Sequence, residues 1–158
     1  MPDVSLFEAL EQVHQSSSYG ANRLTPQGPA NWHRLVSKAN VLCGQGRYQS
    51  SINIVSRNFD LIPASELRID IPNFKKGAEF GNLSTTVEVV TEGLGGRLTF
   101  NGTDYSPKQF HFHLPSEHLD IGTSIAIEMH MVWANQEEKE KIVVIGVSID
   151  LDDRSLTI

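Results

Sequence analysis

Residues 109–118 read QFHFHLPSEH and residues 124–133 read SIAIEMHMVW, and these two stretches decide the fold. Side chains two apart on a strand point to the same side of a sheet. In the first stretch Gln109, His111 and His113 therefore share one face, while Phe110 and Phe112 occupy the other and bury against a core. In the second, Ile125, Ile127, Met129 and Met131 form an apolar face, and Ala126, Glu128, His130 and Val132 look the opposite way. Two amphipathic strands with histidine on their polar faces imply a sheet with one side packed and one side open to solvent or ligand.

Working outward, SINIVS, LRIDI, TTVEVVT, RLTFNG and KIVVIGVSIDL show the same alternation or short β-branched runs, separated by Gly, Pro and Asn turns. Most of them have no long helical segment between them. That spacing favours an extended sheet built from hairpins over a doubly wound α/β fold, so the fold class is mostly β (β-rich α+β). Residues 5–14 read as a short helix, with Ser5 and Glu8 at capping-box spacing and Leu6, Phe7, Leu10 and Val13 close to one face. From Ser16 to Gly46 the chain reads as ordered loop tethered by Tyr19 and Trp32. There is no internal repeat.

With 158 residues the chain supports one domain, 1–158, and is too short for two. Its 39% hydrophobic and 20% charged residues are those of a globular rather than a disordered protein. A net charge of -6 with scattered Lys and Arg argues against nucleic acid, whose phosphates need clustered basic side chains. No apolar run approaches the roughly 20 residues that span a bilayer, and the first residues, MPDVSLFEALEQV, are acidic and amphipathic, unlike a signal peptide. Small or neutral ligands fit this balance better, and nothing in the sequence speaks to oligomeric state. The single cysteine, Cys43, reads as a buried thiol of a reducing compartment, whereas the sequons at Asn82 and Asn101 point to a secreted parent protein.

If the two histidine strands are neighbours, three imidazoles converge. Three neutral ligands with a fourth position open define a catalytic zinc, while a structural zinc would use more cysteine. Ligand histidines need their second ring nitrogen hydrogen-bonded. Gln109 and Glu128, two residues before His111 and His130, are placed to do this, and no such partner is visible for His113. A lone His-x-His on a strand is more often surface decoration or a core pair; the third histidine and the two partners in register favour metal. His14 and His33 read as ordinary surface or loop residues. His118 reads as a hydrogen-bonding residue rather than a fourth ligand, which would close the open position. Glu117 is either a solvated turn carboxylate or a buried acceptor.

QFHFH followed by SEH and then EMH resembles the zinc-binding core of the alpha-class carbonic anhydrases. SYG, GPANW and CGQGRYQSSINI resemble the loop region preceding that core, so the likeness runs from about Ser18 to about Ile149. The resemblance implies a large, mainly antiparallel twisted sheet with Zn2+ at the bottom of a cone-shaped cleft. It makes His111, His113 and His130 the zinc ligands, Gln109 and Glu128 their hydrogen-bond partners, and Glu117 the catalytic-site carboxylate that accepts from a gatekeeping hydroxyl. Val132 and Val144 match the wall of the carbon dioxide pocket. In the family a zinc-bound hydroxide attacks carbon dioxide to give bicarbonate, the standard case of a metal lowering the pKa of water to about 7.

The sequence departs from that pattern in several places. The family's domain continues past the SLTI at which this sequence stops, so the chain resembles an amino-terminal part, incomplete at its C-terminus. The absent stretch would supply the gatekeeping threonine, more pocket wall, further strands and an acceptor for His113. Glu117 is then expected to lack a hydroxyl, and strand edges to stay unpaired. The family's proton-shuttle histidine falls at Thr85 or its neighbours, where there is none, so proton transfer through water or buffer should slow turnover. QSP reads QSS at Gln49 to Ser51, and Ser18 replaces the aromatic before YG. Cys43 matches a cysteine that secreted members bridge to the absent part, which implies secreted or periplasmic ancestry. A truncated zinc-binding protein with little or no activity is the alternative to an enzyme. A metal-free recognition domain is weaker, because all three histidines are present.

Overall fold

The computed structural model describes residues 34, 41–57, 59–75, 77–83 and 86–151. The expected helix at 5–14, the anchors Tyr19 and Trp32, the Thr85 position and the side chain of Cys43 lie outside the described residues. The elements are α1 (Val41–Gln45), β1 (Asn53–Ile54), a 3-10 turn (Ala64–Glu66), β2 (Leu67–Asp70), β3 (Glu79–Asn82), β4 (Val87–Val90), β5 (Arg97–Phe100), β6 (Thr103–His113), β7 (Leu119–Asp120), β8 (Thr123–Ser124), β9 (Ile127–Ala134) and β10 (Ile142–Ile149). Mostly β, with a twisted antiparallel sheet, is the class the alternation implies.

The main sheet runs β10-β9-β6-β4-β3, with β5 also on β6 and β2 on β5. The spine is β6, whose 11 residues pair with β5 at their start, with β4 at their end and with β9 along most of their length. Its register shifts between Pro107 and Gln109, leaving Lys108 as the extra residue. Pro107 has no N–H to give the ladder, and a bulge beside it is how a strand absorbs that loss. The Lys108 carbonyl accepts instead from the backbone N–H groups of Thr91 and Glu92, both at 3.0 Å. A slip of one residue turns every side chain to the opposite face, so this bulge sets which way the histidines point.

One face of the sheet carries the core. Val87 and Phe112 pack with Phe110, Leu114, Ile127 and Met129. Leu98, Tyr105 and Trp133 pack with Leu67, Phe100, Met131, Val143 and Ile145. These are the alternate residues of each strand, as the apolar pattern requires, and Phe112 is 6% exposed. A small second sheet, β1-β7-β8, joins β1 in parallel to β7 and ties the segment before β1 to the turn after β6.

The structure differs from the sequence reading in its short elements. The five-residue α1 falls where loop was expected, and the SINIVS strand shrinks to Asn53–Ile54. The glycine-containing β3, the two-residue β7 and the Thr103–Ser106 half of β6 were not expected, because none alternates clearly and Pro107 argues against a strand interior. Among the described residues β10 pairs only with β9, and Ile142, Val144, Val147 and Ile149 are exposed along it, in keeping with an open edge. Among those residues no helix is long and apolar enough to cross a membrane.

Candidate metal centre

The β6–β9 register places His111 directly opposite His130, His113 opposite Glu128 and Gln109 opposite Val132. On one face of two antiparallel strands such neighbours are in contact. Ring centroids lie 4.9 Å apart for His111 and His113, 5.3 Å for His111 and His130, and 4.6 Å for His113 and His130. One ligand nitrogen from each ring lies within 4.8 Å of the other two, so the three could hold a metal ion.

Of the remaining ring nitrogens, that of His111 is hydrogen-bonded and that of His130 faces a carboxylate. His111 Nδ1 donates to Gln109 Oε1 at 2.9 Å, which leaves its Nε2 lone pair free. Glu128 Oε2 accepts the backbone N–H groups of Glu117 and His118, each at 2.9 Å. Glu128 Oε1 accepts from His118 Nδ1 at 2.6 Å. It also lies 3.0 Å from His130 Nε2, at ion-pair distance though off the line of a good hydrogen bond, which leaves Nδ1 as the outward nitrogen of His130. His113 Nε2 is buried with no hydrogen-bond partner and lies 3.6 Å from Glu117 Oε2. A buried polar atom left unpaired costs roughly 1–3 kcal/mol, and a cation bound at the ring would remove that cost.

Burial, followed by the neighbouring imidazoles, pushes His111 and His113 down to about 4. Both are then neutral at pH 7, the form that binds metal. Burial pushes the Glu128 carboxyl up, but the His118 backbone N–H and the His130 and His118 rings outweigh it and hold the group at about 2. The centre is thus a cluster of histidines, two of them firmly neutral, with an ionised, 2% exposed carboxylate behind His130.

His118, Glu128 and His130 also lie close enough to suggest a ligand set. Their 2.6 and 3.0 Å separations are hydrogen-bond spacings. Two donors sharing a tetrahedral zinc at 2.0–2.1 Å would sit about 3.3 Å apart. His118 is therefore a hydrogen-bonding residue, as the sequence reading has it, with Glu128 as its partner. Ser116, 2% exposed, pins the turn that carries it: its Oγ donates to the His118 carbonyl at 2.6 Å and accepts from Ile125 N at 2.8 Å.

Glu117 requires a correction. It was expected to lack a hydroxyl, yet Ser51 Oγ donates to Glu117 Oε2 at 3.2 Å. The parallel β1–β7 pair brings Ser51 there, with Leu119 N–H bonded to the Ile52 carbonyl at 3.1 Å. In the sequence Ser51 was only a tolerable departure; its one signal was a hydroxyl where the family pattern has proline. Glu88, in register beside His111, was also not anticipated. Val132 and Val144 stand opposite each other on the face of His130, and Val144 is 51% exposed.

Fold and site together define an antiparallel β-sheet protein with a three-histidine centre able to hold one metal ion. The family model for eukaryotic-type carbonic anhydrase matches residues 27–155, and the chain belongs to that family, within its alpha class. Alpha carbonic anhydrase 6 of Arabidopsis thaliana is 31% identical over 153 residues, covering 96% of this chain and 57% of that protein. The fungal alpha carbonic anhydrase of Aspergillus oryzae superposes with a TM-score of 0.69 at 33% identity, covering 87% of this chain and 56% of the other. The alpha carbonic anhydrase of Thermovibrio ammonificans, solved with the inhibitor sulfanilamide, gives 0.65 at 29% identity, covering 80% and 54%. The chain spans little more than half the length of these relatives and matches their amino-terminal part.

Proposed function

We propose that this chain is a zinc lyase that hydrates carbon dioxide reversibly to bicarbonate. The observation carrying the reading is the convergence of His111, His113 and His130, with His113 Nε2 buried and unpartnered. Three imidazoles without thiolate are the donor set of a catalytic zinc, so the residues fit the ion. Zinc held there supplies a nucleophile at neutral pH by lowering the pKa of water to about 7, an effect of which carbonic anhydrase is the standard case.

The chain's own residues do the rest. Gln109 keeps the His111 proton on Nδ1, so Nε2 remains a lone-pair donor. Glu128 faces His130 Nε2 at 3.0 Å, which keeps that side of the ring turned to the carboxylate and Nδ1 turned away from it. Ser51 fixes the Glu117 carboxylate as an acceptor beside His113. Val132 and Val144 form an apolar wall suited to carbon dioxide, which has no donor and no net charge, and ill suited to retaining an anionic product. The segment NLSTTVEV offers no histidine as a shuttle, so the proton leaves through water or buffer and turnover should rise with buffer concentration.

Stopped-flow hydration with and without an arylsulfonamide tests the proposal; inhibitable hydration supports it, and its absence in zinc-loaded protein contradicts it. The half-exposed Val144 favours a second reading, a zinc-binding protein whose open pocket turns over little. Zinc uptake without hydration selects that reading.

A further inference from the structure

The strand β10 reads IVVIGVSI, and its one glycine, Gly146, stands directly opposite His130. Glycine in a strand interior weakens the strand and often marks a place where another group approaches closely. The backbone there is not in the left-handed region, so conformation does not demand glycine. Space does. A Cβ on residue 146 would lie 2.8 Å from Glu128 Oε1, 3.7 Å from His130 Cδ2 and 3.8 Å from His130 Nε2. Carbon and oxygen do not approach to 2.8 Å without one of them moving. Glu128 has little freedom to move, because two backbone N–H groups hold Oε2 and the His118 ring holds Oε1.

We propose that Gly146 is a positioning residue: its bare backbone leaves the slot that the Glu128 carboxylate fills across the β9–β10 pair, and through Glu128 it fixes the His130 ring. Any larger residue drives the carboxylate out of line with His118, His130 or the turn at residues 117–118. The structural part stands on the metal-free protein, and its consequence for zinc rests on the function proposed above.

The test compares Gly146→Ala with Val147→Ala, the neighbour whose side chain points to the opposite face of β10. In metal-free protein, nitrogen-15 spectra of the histidine rings should show the His118 and His130 resonances displaced in Gly146→Ala and unmoved in Val147→Ala. Zinc affinity, read by chelator competition, should fall about 10- to 100-fold in Gly146→Ala, the usual penalty for disturbing a ligand's hydrogen-bond partner. Glu128→Asp withdraws the carboxylate from the slot, so adding Gly146→Ala to it should change zinc affinity by less than about threefold. Ring resonances as undisturbed in Gly146→Ala as in Val147→Ala, or an undiminished loss in the Glu128→Asp background, overturn the proposal. If Gly146→Ala does not fold, folding of the double variant supports the proposal and its failure to fold overturns it. A wild-type chain that takes up no zinc defeats the functional reading, and the ring spectra still decide the role of Gly146.

Discussion

Replacing Glu128 by glutamine removes one charge and changes almost no volume, so its effect is readable donor by donor. The carboxylate receives the N–H groups of Glu117 and His118 on Oε2, and on Oε1 it receives His118 Nδ1 at 2.6 Å and faces His130 Nε2 at 3.0 Å. Glutamine offers one oxygen and one NH2. Turned towards the backbone, the NH2 meets two donors; turned towards the rings, it forces His118 Nδ1 and His130 Nε2 to accept. The second orientation moves the His130 proton to Nδ1, the nitrogen otherwise free for a metal. Either way two charge-assisted bonds are lost, each worth about 1.5–3 kcal/mol, with partial compensation by the amide, for a net destabilisation of about 2–4 kcal/mol. That corresponds to a Tm lower by roughly 5–15 °C for a chain of this size, and zinc affinity should fall about 10- to 100-fold. Calorimetry of metal-free protein at pH 7 and chelator competition measure the two. A Tm within about 2 °C of wild type, together with affinity within about twofold, would refute the role given to the carboxylate.

Ser51→Ala removes the hydroxyl on Glu117 and should lower stability by about 1–2 kcal/mol in urea titration; a change indistinguishable from zero would deny the contact. Phe112→Ala opens the core beneath the histidine strand and should destabilise by about 3–5 kcal/mol, again read by urea titration. Metal-free stability should fall with acid in two stages. His111 and His113 titrate near 4 in the folded chain against an ordinary 6.5, so between those values the unfolded chain binds more protons; their contribution is complete above 6.5 and lost as pH falls towards 4. Glu128, lowered from 4.5 to about 2, contributes fully above 4.5 and loses its contribution as pH falls through about 2. Urea midpoints taken from pH 8 to pH 3 check the order, and a midpoint that rises on acidification between 6.5 and 4 contradicts the sign.

The histidine strands were legible because period-two alternation is a local property: once residues 109–113 and 127–132 are strands, the faces of Gln109, His111, His113, Glu128, His130 and Val132 follow. The Gln109–His111 bond and the Glu128–His130 approach were legible for the same reason, each being two residues apart. Contacts set by long-range pairing were not legible. Ser51 reaches Glu117 across 66 residues through the two-residue pairing of β1 with β7. Gly146 matters only because β10 pairs with β9 in a register that sets it against His130. The bulge at Lys108, on which the phase of the histidines depends, has no local mark except the proline before it. That His118 makes hydrogen bonds rather than ligating was legible from chemistry alone, but its partner Glu128 lies on β9 and needed coordinates.

The most direct measurement of the three-histidine assignment is native mass spectrometry of the purified chain and of His113→Ala, each after zinc loading and desalting. The assignment predicts one zinc per wild-type chain and none retained in a folded His113→Ala variant. A folded wild-type chain without zinc, or a variant that keeps the ion undiminished, would contradict it.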